Sequence, residues 1–232
     1  MTGLMIAMAL LLQPADPAVA ASAAALPMIE RTERLEVERF RRDRHNQWRA
    51  GEWTGQWSGM GSYSSGFGRQ RNYSRASFSV TGPGFETGMV TAECEGGQLD
   101  WDFLWIEWAH EDLAYVCTFS RDGALIEGAR FELALQRSRG FAGMGRNERA
   151  GQITYGGQTL RLRTQRLSGT AFPSGRVPGY VILDGEQEIG GMDYGVFKSK
   201  IYLPPEGVEL RAITLLAALS VVHFMDPANS NH

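Results

Sequence analysis

The sequence predicts a mainly β protein, an antiparallel β-barrel or barrel-like sheet. Many segments alternate apolar and polar residues, 28 glycines among 232 residues indicate frequent turns, and strands do not alternate with long helices. A hydrophobic content of 43% is enough for a packed core. Because all-β chains of this length commonly form one unit, we expect a single β-barrel domain over 51–232 that ends in a helix.

Strands with one buried and one wet face are predicted where apolar residues recur at every second position. This pattern occurs in 75–80, 130–136 and 160–163. Between such segments, Asp122-Gly123, Gly156-Gly157 and Asp184-Gly185 are typical of tight hairpin turns, since these residues tolerate positive φ. The serine- and glycine-rich stretch Ser58–Gly68 is interpreted as a mobile loop.

The N-terminal part is expected to precede the barrel. Within 21–50, the charged segment Met28–Trp48 contains helix formers, and Glu36 with Arg39 has helical spacing, which predicts a surface helix. Before it, Leu4–Leu12 is apolar and Ala18-Val19-Ala20 supplies small residues. This pattern predicts a signal peptide over 1–20, although its start lacks Lys and Arg. A buried N-terminal helix is the alternative.

Export to the periplasm or secretion gives the two cysteines a role. Cys94 and Cys117 lie on neighbouring predicted strands, and in an oxidising compartment they are expected to form a disulfide. Two reduced, buried thiols are the alternative. Their spacing matches no metal or redox motif, and we expect no metal and no cofactor.

The C-terminal segment Leu210–Met225 is apolar with few interruptions, which predicts a helix. Its polar residues fall on different sides at helical spacing, so the helix has no polar stripe and must be covered almost all round. Sixteen residues span about 24 Å, less than the roughly 30 Å of a hydrocarbon layer. We therefore expect no transmembrane span and a helix enclosed by the sheet.

The run from Gly190 to Met225 resembles the closing strands and central helix of tubby-like barrels, the group with phospholipid scramblases and LURP-one-related proteins. The residues that carry this resemblance are a strand rich in glycine and lysine, the turn Pro204-Pro205-Glu206-Gly207, and the apolar run Leu215–Met225. The resemblance implies a closed barrel around a hydrophobic helix. It does not imply a scramblase activity.

Two sets of residues are candidates for ligand contacts. Trp101, Trp105 and Trp108, with Asp102 between them, form an aromatic wall with a carboxylate that suits a sugar or an amphipathic ligand; a purely structural central strand is the alternative. Arg146 and Arg149, in an arginine-rich region, suit phosphate or carboxylate; neutralisation by acidic neighbouring strands is the alternative.

The sequence limits the function of the protein mainly by the protein classes that it excludes. A net charge of −3 gives no positive field for nucleic acid. No nucleophile elbow, zinc-binding helix motif or phosphate loop occurs, so no catalytic residue is assigned. The main hypothesis is non-enzymatic binding of an apolar or amphipathic small molecule, such as a lipid, or of an envelope partner. The alternatives are a periplasmic hydrolase that uses carboxylates near 100–112 and a structural envelope module.

Overall fold

Residues that alternate in polarity along the chain form twelve antiparallel strands, which close into a barrel. The computed structural model describes residues 26–66, 69–97, 114–135, 148–167, 179–195 and 198–224. The strands are β1 Glu33–Arg42, β2 His45–Ala50, β3 Trp53–Gly66, β4 Arg69–Val80, β5 Val90–Gly97, β6 Ala114–Arg121, β7 Ala124–Leu135, β8 Arg149–Tyr155, β9 Gln158–Thr164, β10 Gly179–Asp184, β11 Gln187–Asp193 and β12 Ser199–Leu203. The helices are α1 Met28–Arg31 and α2 Arg211–Val222.

Closure of the barrel depends on strand β1, which pairs with two different strands. Its first half, Glu33–Val37, pairs with β12, and its second half, Glu38–Arg42, pairs with β2. The other strands pair in sequence order from β2 to β12. The described strands therefore leave no open sheet edge.

The predicted N-terminal surface helix is present only as the single turn α1. The prediction of a helix over Met28–Trp48 is wrong from Glu33 onward. Residues Glu33–Arg42 form β1, and His45–Ala50 form β2. Leu35 and Val37 face inward at a spacing of two, and Lys198 of the β11–β12 connection contacts Glu36 and Glu38 at 3.2 and 3.3 Å. The glutamates thus pair across strands rather than along a helix.

The predicted loop Ser58–Gly68 is also corrected. Strand β3 continues to Gly66 and pairs with β4 from Trp57 opposite Phe78 to Gly66 opposite Arg69. Small residues have weak strand propensity, but a long register of backbone hydrogen bonds to a neighbouring strand overrides it. Residues 67 and 68 lie outside the described residues.

The hairpin turns agree closely with the sequence. Asp122-Gly123 joins β6 to β7 and Gly156-Gly157 joins β8 to β9, and all four residues have positive φ. The third turn lies one residue later than predicted. Asp184 pairs with Gln187, so the turn residues are Gly185 and Glu186.

Helix α2 occupies the interior of the barrel. All of its residues from Ile213 to Val222 are buried, and they form one core cluster with the inward residues of the strands. The predicted apolar helix is thus present over Arg211–Val222, and Met225 lies outside the described residues. Neither helix of the described chain has the length and apolar character needed to cross a membrane.

The end of the barrel at which α2 begins is closed by Arg211. Its guanidinium contacts the Glu33 carboxylate and the Pro204 carbonyl, and it lies 5.0 Å from the centre of the Trp53 ring. The Trp53 indole in turn donates a 2.8 Å hydrogen bond to the Pro83 carbonyl. The charged guanidinium at the start of the apolar helix therefore has a carboxylate, a carbonyl oxygen and an aromatic ring as partners.

The predicted disulfide is present between Cys94 and Cys117. These residues lie directly opposite each other on β5 and β6. Both side chains are buried in the core. The bond therefore ties two adjacent strands together across the chain segment between them.

Candidate functional site at the exit rim

The sequence-predicted ligand residues lie within two chain segments, 98–113 and 136–147, or directly beside them. Trp101, Asp102, Trp105 and Trp108 lie outside the described residues, as does Arg146. Strands β5 and β6 flank the first segment, and β7 and β8 flank the second. The strand termini next to these segments lie at the end of the barrel where α2 ends. Only Arg149 can be placed directly.

Arg149 is the first residue of β8, and it is fully buried. Its guanidinium lies 5.1 Å from the centre of the Phe224 ring, just beyond the end of α2. Its backbone N–H donates a 2.7 Å hydrogen bond to the Thr164 hydroxyl. Arg149 is therefore a component of the barrel wall near the helix terminus.

We call this end of the barrel the exit rim and define it by Arg39, Trp57, Arg149, Tyr194 and His223. The last carbonyls of a helix have no partners within it and carry partial negative charge. Here Arg39 Nη2 donates to the Val222 carbonyl at 2.6 Å, and the Tyr194 hydroxyl donates to the Val221 carbonyl at 2.6 Å. Strand β1 and the residue after β11 thus hold the end of the helix in place.

His223 follows the last helical residue and lies among aromatic rings. Its ring centre is 5.3 Å from that of Phe78 and 5.7 Å from that of Trp57, both in stacked orientation, and 6.2 Å from that of Trp48. Neither ring nitrogen has a hydrogen-bond partner among the described residues. Burial, with a smaller effect from the charge of Arg39, lowers the pKa of His223 to about 3. The imidazole is therefore neutral at physiological pH.

Tyr115 adds a second buried polar group to this end. Its ring centre lies 4.3 Å from that of Phe224, and its hydroxyl has no hydrogen-bond partner within the described residues. Burial raises the pKa of this phenol above its ordinary value. Buried polar atoms in proteins are nearly always hydrogen-bonded, so His223 and Tyr115 mark this end as a place where further polar groups are accommodated.

The exit rim places a guanidinium beside an aromatic ring. Arg39 remains exposed as a residue, and its guanidinium lies 5.0 Å from the centre of the Trp57 ring. A guanidinium above an aromatic surface fits an anionic head attached to an apolar body. Within the described residues, no group of His, Cys, Asp and Glu side chains could hold a metal ion.

Sequence reasoning did not select Arg39, Trp57 or His223 as site residues. Arg39 was assigned to a surface helix, and His223 is 184 positions further along the chain. The alternation of Leu35, Val37 and Arg39 with glutamates was a usable strand signal. No local pattern, however, indicates that β1 and the end of α2 meet.

Comparison of the chain with protein-family models, with curated proteins and with solved structures found no match.

Proposed function

We propose that this protein is an exported, non-enzymatic binding protein that takes an amphipathic small molecule, or an envelope partner that presents one, at the exit rim. The observation that carries the proposal is the filled barrel interior. Because Ile213–Val222 are buried inside the closed sheet, a ligand binds at the rim and not within the lumen. In fold terms, we assign the chain to the tubby-like architecture that its C-terminal region resembles.

The exit rim supplies both halves of such a site. Arg39 provides a charged, partly accessible guanidinium, and Trp57 provides an aromatic surface 5.0 Å from it. The candidate residues Trp101, Trp105, Trp108, Asp102 and Arg146 lie outside the described residues. The proposal therefore rests on Arg39 and Trp57.

Export is supported by the leader-like start and by the disulfide. A buried Cys94–Cys117 bond is typical of an oxidising compartment such as the periplasm. The intact mass of protein recovered from a bacterial periplasm tests this part, since cleavage after Ala20 removes 1–20.

Binding is tested by titration calorimetry of the mature protein with sodium laurate, an anionic amphiphile. We expect Arg39→Gln to weaken laurate binding about tenfold or more, because a hydrogen bond to a charged group contributes about 1.5–3 kcal/mol. Arg75→Gln is the matched control. It removes the same charge from the outer wall, where Arg75 contacts Glu95 at 2.9 Å.

Three further results decide the outcome. Arg39→Lys should recover part of the affinity, because it restores a positive charge at the rim. Native mass spectrometry of the periplasmic protein should show a bound amphiphile. Failure of laurate to bind the wild-type protein, or equal weakening by Arg39→Gln and Arg75→Gln, would contradict the proposal.

A further inference from the structure

A second concave surface lies on the outer wall of the barrel and meets the exit rim at Trp57. This outer groove has a volume of about 790 Å³ and crosses strands β1–β5. The volume falls in the range of small-ligand sites. Its lining includes Phe40, Gln47, Thr54, Gln56, Ser79, Thr81, Met89 and Thr91.

The floor of the outer groove forms where β3 and β4 depart from regular pairing. The Trp48 indole, which belongs to the core, donates a 3.1 Å hydrogen bond to the Ser79 carbonyl. A Cβ atom at Gly55 would lie 1.8 Å from that carbonyl oxygen, so only glycine permits this approach. The Gln56 N–H bonds instead to the Ser79 hydroxyl at 3.1 Å.

The central row of the groove consists of uncharged side chains. Phe40 lies opposite Gln47, Gln47 opposite Gln56, and Ser79 opposite Thr91. Five strands at their usual spacing make this row about 19 Å long. Amides and hydroxyls both donate and accept hydrogen bonds, so the polar part of the row offers donors and acceptors to a ligand.

Charged groups at the groove margin have counter-ions. Arg49 contacts Glu38 at 2.6 Å, and Arg42 contacts Asp43 at 3.6 Å. Elsewhere the outer wall carries cross-strand ion pairs, such as Arg163 with Glu188 at 3.1 Å. The central row of the groove is therefore uncharged and able to form hydrogen bonds, and Arg42, His45 and Arg49 lie at its margin.

Two apolar side chains flank this row. Phe40 is 44% exposed at the β1 side and Met89 is 43% exposed at the β5 side. A peptide could not add to the sheet here as a further strand, because β1–β5 are each paired on both sides within the described part of the barrel. An occupant of this groove must therefore bond to side chains.

We infer that the outer groove binds a neutral oligosaccharide. A chain of sugar rings offers hydroxyls that donate and accept in turn, and its apolar ring faces can pack on Phe40 and Met89. This complements a strip of amides and hydroxyls without net charge. The groove shares Trp57 with the exit rim, but the inference rests on the amides and hydroxyls of its central row and does not depend on laurate binding at the rim.

Calorimetric titration with cellotetraose, maltotetraose and chitotetraose tests the inference with a matched pair of variants. Thr54→Val with Thr81→Val removes two groove hydroxyls that lie 3.3 Å apart. Thr154→Val with Thr159→Val removes a similar pair, 3.0 Å apart, on the wall of β8 and β9. We expect the first double variant to weaken saccharide binding about fivefold or more and the second to leave it unchanged.

A second measurement does not depend on how the double variants fold. Phe40→Ala should weaken binding, whereas Leu125→Ala, at a residue 72% exposed on another part of the wall, should not. In the wild-type protein, the indole N–H resonance of Trp48 should shift on titration because its partner Ser79 lines the groove. The indole N–H of Trp53, bonded to Pro83, should remain unchanged.

The outcomes are decisive in either direction. Binding of at least one tetrasaccharide, with loss confined to the groove variants and a shift of the Trp48 resonance, supports the inference. Absence of binding by all three at millimolar concentration would overturn it, as would equal binding by both double variants. Binding that Arg39→Gln removes would place the saccharide at the exit rim and also overturn it.

Discussion

At the scale of single residues, His223 is a titratable group buried among aromatic rings. Its ring lies between Phe78 and Trp57, and its protonation would place a charge in an enclosed aromatic site beside Arg39. Burial and the charge of Arg39 both lower the pKa of His223. The folded protein therefore holds this imidazole in its neutral form.

Acid should destabilise the protein through His223. The folded-state pKa of about 3 lies below the ordinary value of 6.5, so between these values the unfolded state binds more protons. This contribution to stability is complete above about pH 6.5 and is lost as the pH falls towards 3. The loss is at most about 1.4 kcal/mol per pH unit.

His223→Phe checks this expectation, because it keeps an aromatic ring and removes the titration. Urea unfolding at pH 7 and pH 4.5 should show a larger loss of stability in the wild-type protein than in the variant. Carboxylates titrate in both proteins and cancel in the comparison. Equal losses would show that His223 does not carry the effect.

At the scale of elements, helix α2 lacks the amphipathic pattern of a surface helix, and it is covered all round by the sheet. Its charged first residue, Arg211, is accommodated by Glu33 and Pro204 at the barrel end. Its last carbonyls are accommodated by Arg39 and Tyr194. The strands thus provide the caps that the helix sequence itself does not contain.

Truncation of a buried side chain on α2 should therefore be costly. Leu216 is fully buried at the centre of the helix, and Leu216→Ala should lower the free energy of unfolding by about 2–5 kcal/mol through lost burial and a residual cavity. Leu125→Ala makes the same chemical change at an exposed position and should cost less than about 0.5 kcal/mol. Chemical denaturation measures both, and similar values would contradict the buried placement of α2.

At the scale of the whole molecule, the barrel is held by long-range pairing and by one covalent bond. Strand β1 closes the sheet on β12, from which it is separated by nearly the whole chain. The disulfide joins β5 to β6 and bridges a sequence separation of 23 residues. It restricts the unfolded chain without altering the backbone register of the two strands.

Removal of the disulfide should therefore lower stability without changing the fold. On the chain-entropy account, Cys94→Ala with Cys117→Ala should reduce the free energy of unfolding by about 3 kcal/mol, plus a smaller loss of packing. Circular dichroism should show the same strand content, and denaturant unfolding should show an earlier midpoint. An unchanged midpoint would argue against the bond as a source of stability.

The candidate sites were less predictable than the fold class. Sequence patterns selected the aromatic run around Trp105 and the arginine Arg149, but not Arg39 with His223 or the pair Gln47 with Gln56. Site residues of these kinds come together through strand register. Contacts between elements that are distant in sequence, such as Arg39 with the end of α2, leave no local pattern in the sequence.

The sequence by itself determined the elements whose signals are local. Alternation of apolar and polar residues predicted the inward faces of strands such as Ala76–Val80. Glycine-containing pairs predicted the hairpins, and the apolar run predicted α2. Tertiary structure decided that His45–Ala50 and Ser58–Gly66 are strands and that the twelve described strands close into a barrel. The physical reason is that charged or small residues carry weak intrinsic preferences, which backbone pairing to a distant strand overrides.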